Sequence, residues 1–237
     1  MVESGLGFGF LAVVIGYMPT LYQTFSKREV MISRLDARAG SPPTGSQILI
    51  RMSRAGNLQG LDAFFVEWEK WCSELLESTM SYPAIAWYRS QHDNQSWLAA
   101  LAAILDATSL AIANTAHGTN TYQAQVTFAM ARHAVVDIAL LFFIAPDRVN
   151  RRGGECGEIR RQMELAGLDA TSAKKLDELR GMYEPYLMAL SSMFLLPLPP
   201  VVGNMNVADN WQSSAGMRRV TGLDHLGDPI EQNEHFD

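Results

Sequence analysis

SGLGFGFLAVVIGYMPTLYQTFS, residues 4–26, runs for 23 positions without a charged side chain. Wound as an α-helix it measures roughly 34 Å at about 1.5 Å per residue, enough to cross a hydrocarbon layer of about 30 Å. Tyr17 and Tyr22 lie toward its C-terminal end, where amphipathic rings favour the membrane interface. Lys27, Arg28, Arg34, Arg38, Arg51 and Arg54 follow, giving 27–54 a net charge of +4. By the positive-inside bias that side is cytoplasmic. Only Glu3 precedes the apolar run, so the basic start of a secretory signal is absent, as is an A-x-A cleavage pattern. The expectation is a single-pass membrane helix in a lipid bilayer, with the C-terminus inside.

Within this helix Gly5, Gly9, Ala12, Gly16 and Pro19 recur at spacings of four and three, which places them on one face. Small residues so arranged let membrane helices approach closely. Pro19 has no N–H for the carbonyl of Ile15 and crowds it, so a bend is expected there. Gly16 and Pro19 are therefore the hinge candidates. Gly5, Gly7 and Gly9 do not form a dinucleotide loop, because no strand precedes them and the GxGxxG pattern is missing.

Outward from this helix the pattern stays helical. Leu35-Asp-Ala-Arg-Ala-Gly-Ser-Pro-Pro43 is a turn, and Thr44 is placed to cap a helix through about Ala55, closed by Gly56-Asn57. In 61–80, Phe64, Trp68, Trp71 and Leu75 make an apolar stripe. Further helices are expected over 95–113, 121–144, 158–166 and 173–196, the last bent or restarted at Pro185. The loop 147–157 is a candidate insertion or lid. Leu98–Ala113 carries a central Asp106 and is short for a membrane crossing, so it reads as a core helix.

The expected organisation is a transmembrane helix over 1–26 and a juxtamembrane connector with a short helix over 27–58. An all-α cytoplasmic bundle over 59–200 and an irregular acidic tail over 201–237 follow. Phe64, Trp68, Trp71, Leu101, Leu105 and Leu140 are the expected core, and a chain begun near Ser41 is expected to be soluble. Two cysteines without paired spacing argue against a disulfide framework or a zinc site. A net charge of −6 with no long basic run argues against nucleic acid as a partner.

The polar residues that could carry chemistry are few. His133 and Asp137 are one helical turn apart, Glu74 flanks the aromatic stripe, and His92-Asp93 lies near a helix junction. Glu74, His92, His133 and Asp137 are the candidate metal ligands, against a reading as core polar pairs. The Glu-x-x-His of a bundle metal site is absent, as is the additional upstream His of an HD-type phosphohydrolase. No enzyme activity and no cofactor are expected.

GFGFLAVVIGYMPTLYQTFSKREV (7–30) followed by LDARAGSPP (35–43) resembles the inner helix and juxtamembrane segment of bacterial two-transmembrane potassium-channel-like proteins. Glu67-Trp-Glu-Lys-Trp71, Ser81-Tyr-Pro83, Arg89-Ser-Gln-His-Asp93 and Ala131-Arg-His133 are similar to the helical cytoplasmic domain that follows the pore in that family. A fainter echo lies at Tyr183-Glu-Pro-Tyr186. The resemblance implies an ion-channel protein whose helical domain serves regulation or assembly, and a homo-oligomer. A potassium pore needs a T-x-G-Y-G filter whose carbonyls replace the ion's hydration shell. The only Gly-Tyr here is Gly16-Tyr17, inside the helix, so the likeness covers the C-terminal part and not the filter or first span. The other readings are a membrane-anchored domain with metal-dependent activity and a pure interaction domain.

Overall fold

A computed structural model describes residues 2–91, 94–114, 121–152, 156–165, 168 and 172–203. Among them are eight α-helices and no strand. The helices are α1 (Val2–Ala39), α2 (Gly45–Arg54), α3 (Leu61–Ser81), α4 (Trp97–Ala113), α5 (Tyr122–Leu141), α6 (Cys156–Leu165), α7 (Ala173–Gly181) and α8 (Glu184–Phe194). The all-α expectation holds. His92 and the acidic tail beyond 203 lie outside the described residues.

α1 is one uninterrupted helix of 38 residues with Pro19 inside it. It carries the charge-free run and the basic segment after it without a break in the helix. Its C-terminal half belongs to the bundle: Ile32, Leu35 and Ala39 are buried in the main core. Gly40 ends it at φ +83°, a backbone conformation that favours glycine, and the peptide between Ser41 and Pro42 is cis. Thr44 then takes extended geometry ahead of α2, as the sequence suggests, but its hydroxyl makes no cap to the helix. α2 packs so tightly on α4 that a Cβ on Gly45 would stand 2.5 Å from the Ala107 nitrogen.

α4 is apolar on every side, and every side is covered; such a helix sits at the centre of its fold. Ser96 caps it by accepting from the Ala99 N–H at 2.9 Å. Around it lie α3, α5 and α8, contributing Phe65, Trp68, Cys72, Val135, Ile138, Leu187 and Leu190 to the core. Burial pushes the Cys72 thiol up, with the charge of Glu69 adding to the effect. α2, the end of α4, α6 and α7 share a second cluster built on Leu49, Ile50, Leu110, Ile159, Met163 and Leu176. Val201 joins that cluster, and the Gly203 N–H donates to Ser46 Oγ at 3.2 Å, so the chain after 200 begins as packed structure.

Phe64, Trp68, Trp71, Leu101 and Leu105 are buried as expected. Leu140 is not: it is 60% exposed. The face of α5 that meets the core carries Ala124, Thr127, Phe128, Ala131, Ala134, Val135, Ile138 and Ala139, and helical spacing turns Leu140 away from it. By length and composition alone, α5 is long and apolar enough to cross a membrane. It is tied into the bundle, with Thr127 Oγ1 donating to the Phe65 carbonyl at 3.1 Å.

Candidate functional site

Where α1 meets the bundle, a set of contacts joins the long helix to the turn that follows α3. Pro83 has no N–H to continue α3 and starts a short 3-10 helix, Pro83–Trp87. The Arg28 side chain reaches into this turn. Nη1 donates to the Ile85 carbonyl at 2.9 Å and Nη2 to the Tyr88 carbonyl at 2.8 Å. Nε donates to Glu29 Oε1 at 3.0 Å, and the guanidinium lies 5.2 Å from the centre of the Phe25 ring. From α3, Trp71 Nε1 donates to the Arg28 carbonyl at 3.4 Å. Burial lowers the Arg28 pKa, while the Glu29 carboxylate pulls the other way.

Ring contacts extend the junction along α1. Phe25 meets Tyr88 edge-on at 6.0 Å, and Tyr17 meets Tyr82 at 5.4 Å. Leu21, between them, is buried. Spacings of three and four put Tyr17, Leu21, Phe25 and Arg28 on one face, so a single stripe of α1 grips residues 82–88. Before Tyr17, Phe10, Leu11 and Ile15 are exposed, as is Met18 just after it. Gly16 and Pro19 lie on the exposed side of this stretch, with nothing within 4 Å of a Cβ built on Gly16.

The described candidate metal ligands, Glu74, His133 and Asp137, do not assemble. His133 Nε2 and Asp137 Oδ2 are 3.1 Å apart, but the His133 side chain is 63% exposed, so the pair is a surface one and not a core pair. The reason is the helical phase that also exposes Leu140. Glu74 is exposed on α3 and faces Lys70 at 3.8 Å. Among the described residues no group of three or more His, Cys, Asp or Glu side chains is placed to hold a metal.

The buried charges sit elsewhere. Arg152, in the segment after α5, donates from both terminal nitrogens to Asp106 of α4, at 2.8 and 2.7 Å. Tyr183 gives its hydroxyl hydrogen to the same carboxylate at 2.6 Å. Glu184 accepts from the Arg152 backbone N–H at 3.0 Å and from Arg180 Nη2 at 2.8 Å. Two carboxylates and two guanidiniums thus form a neutral, fully internal cluster joining α4, α7, α8 and residue 152. Burial opposes the Arg152 charge, yet Asp106, with Tyr183 and Glu184 behind it, raises its pKa. Burial, reinforced by Asp106, holds the Tyr183 phenol protonated well above its ordinary range. Because both Asp106 oxygens and Glu184 Oε1 are already engaged, the cluster acts as a structural pin.

Residue 152 is therefore an anchor, in a segment whose sequence suggests a lid. A lone Asp106 inside sixteen apolar-patterned positions does announce that a counter-charge must arrive from somewhere. Nothing in the spacing says that Arg152, 46 residues on, supplies it.

No family model, no curated protein and no solved structure matches the chain.

Proposed function

We propose that this chain is the C-terminal portion of a potassium-channel-like membrane protein, in which α1 is the inner membrane helix and the bundle a cytoplasmic module for regulation or assembly. The observation that carries the reading is the first half of α1. A helix with no charge from Ser4 to Ser26 leaves Phe10, Leu11, Ile15, Met18 and Tyr22 uncovered, on more than one side of its axis. Large apolar side chains around a projecting helix are costly in water and favoured in lipid. The basic residues that follow orient it with the bundle inside the cell. In such a protein Gly16 lies just above the gripped stripe and Pro19 beside its first turn, on the exposed side, and the two are the natural hinge. Four copies around a pore, the potassium ion and the filter supplied upstream come from the family resemblance alone.

Membrane fractionation tests the reading. The full chain should sediment with membranes, resist carbonate extraction and leave its bundle on the cytoplasmic side in protease protection. A full chain that stays monomeric in solution without detergent would remove α1 as a membrane helix. A metal-dependent activity has no assembled ligand set among the described residues to favour it.

A further inference from the structure

At the end of the bundle where α1 leaves it, several helices finish with large apolar side chains turned outward. Phe194, the last residue of α8, is a hub: its ring lies 4.7 Å from Trp87, 5.7 Å from Trp97 and 5.1 Å from Phe142. Beside the hub, Phe143 is 96% exposed, Leu195 71% and Trp87 54%, with Met80 and Tyr88 exposed nearby. Phe143 and Leu195 have the same geometry. Each follows the end of its helix with a left-handed backbone, φ +56° and +53°, a position usually given to glycine. Each helix closes in the same way, by Ile144 N–H to Ala139 carbonyl at 2.9 Å and Leu196 N–H to Ser191 carbonyl at 3.2 Å. Two helices therefore use a bulky apolar residue at a strained position and point it into the surroundings. In water both choices are unfavourable.

The register of α1 indicates what those surroundings are. Tyr17 and Phe25 are held against Tyr82 and Tyr88, so the last ten residues of the charge-free run lie at the level of this end of the bundle. A hydrocarbon layer of about 30 Å filled from Ser4 ends some twenty residues on, near Phe25. Tyr88, held against Phe25, and Trp87 beside it then fall in the interfacial zone, where aromatic rings are favoured. Lys27 and Arg89, both exposed, stand at the same level, and Arg89 also donates to the Leu195 carbonyl at 3.2 Å. Cations there match anionic headgroups.

We propose that this apolar rim (Met80, Trp87, Tyr88, Phe143 and Leu195) docks the bundle onto the anionic leaflet that α1 enters, with Phe143 and Leu195 inserted at the headgroup–acyl boundary. The inference rests on α1 being a membrane helix and adds a second, peripheral contact with the same bilayer. Docking fixes the bundle against the membrane as well as against the helix, so tilting of the helix base is transmitted to the bundle.

Spin-label accessibility tests it on the full chain in vesicles of phosphatidylethanolamine and phosphatidylglycerol. Labels go to Phe143→Cys and Leu195→Cys separately, to Ile15→Cys, and to Leu58→Cys at the far end of α3, all in a Cys156→Ser background with Cys72 buried. Collisions with dissolved oxygen relative to a water-soluble nickel chelate should be several-fold higher at 143 and 195 than at 58, and high at 15. Labels at 143 and 195 that behave like 58 while 15 reports lipid overturn docking and leave the membrane helix standing. Protection of 143 and 195 from both collision partners means a protein surface covers them, and also overturns it. A label at 15 in water removes the membrane helix and the docking together. The two rim positions are independent, so a substitution that prevents folding at one leaves the other to decide.

Discussion

Asp106 and Asp137 are carboxylates on neighbouring core helices, each paired with a basic side chain, and their environments make them opposites. Asp106 is buried with Arg152 and Tyr183, whereas Asp137 faces an exposed His133. Asp106→Asn leaves a buried guanidinium short of its charge partner and should cost about 3–5 kcal/mol, read from urea unfolding. Asp137→Asn should cost less than about 0.5 kcal/mol, because exposed pairs contribute little. The cluster also sets behaviour in base. Tyr183 is raised in the folded state, so its contribution is complete below the ordinary tyrosine value of about 10 and is lost as pH climbs through the raised one. Among the seven tyrosines, its phenolate absorbance should appear only as the protein unfolds. Phenolate absorbance complete before circular dichroism changes would contradict that. Asp106 was visible in the sequence as a lone charge, but its partners were not. Residue 152 sits in an irregular segment and meets α4 only after the chain has passed through α5, a distance that no local periodicity encodes.

At the level of elements, periodicity did most of what could be asked of it. α2 and α3 have the extents their caps and breakers indicate, and the helix expected over 173–196 separates into α7 and α8 just before Pro185. What periodicity could not supply was phase on α5. Alternating small and large apolar residues there permit two faces, and contact with α3 and α4 selects the one that exposes His133 and Leu140. Tertiary contact also decides the role of the Pro83–Trp87 turn. In sequence it is an interruption; in the fold its carbonyls receive Arg28. Each charge-assisted bond of that kind contributes about 1.5–3 kcal/mol. Arg28→Met should therefore release the turn without unfolding the bundle, and amide exchange over residues 82–90 should accelerate while α4 stays protected. Arg28→Lys, with one point charge in place of a fork, should recover only part of the protection. Unchanged exchange in Arg28→Met would show that the rings alone hold the turn.

For the whole molecule, the decisive fact is that the C-terminal half of α1 is built into the bundle core while Phe10, Leu11 and Ile15 in its first half are exposed. The charge pattern suggests a cut near Ser41 to obtain a soluble domain, but such a cut removes Ile32, Leu35 and Ala39 from the main core and Arg28 from the junction. Burial of Ile32 and Leu35 alone is worth about 1.5–3 kcal/mol each, set against a total stability of about 5–15 kcal/mol. A chain begun at Ser41 should keep helix by far-ultraviolet circular dichroism and lose its near-ultraviolet signal and cooperative melting. Because one continuous helix runs from the gripped stripe into the charge-free run, its angular setting is inherited upstream like the angle of a cam on a shaft. One alanine inserted between Gly16 and Tyr17 leaves the Tyr17–Arg28 contacts in place, yet it turns the face bearing Gly5, Gly9 and Ala12 by about 100°. Seven inserted residues bring that face back to within about 20° while lifting it by about 10 Å. Disulfide mapping from cysteines along that face should therefore lose its native pattern with one residue and regain its direction with seven. The bundle, in this light, dictates which way the small residues look.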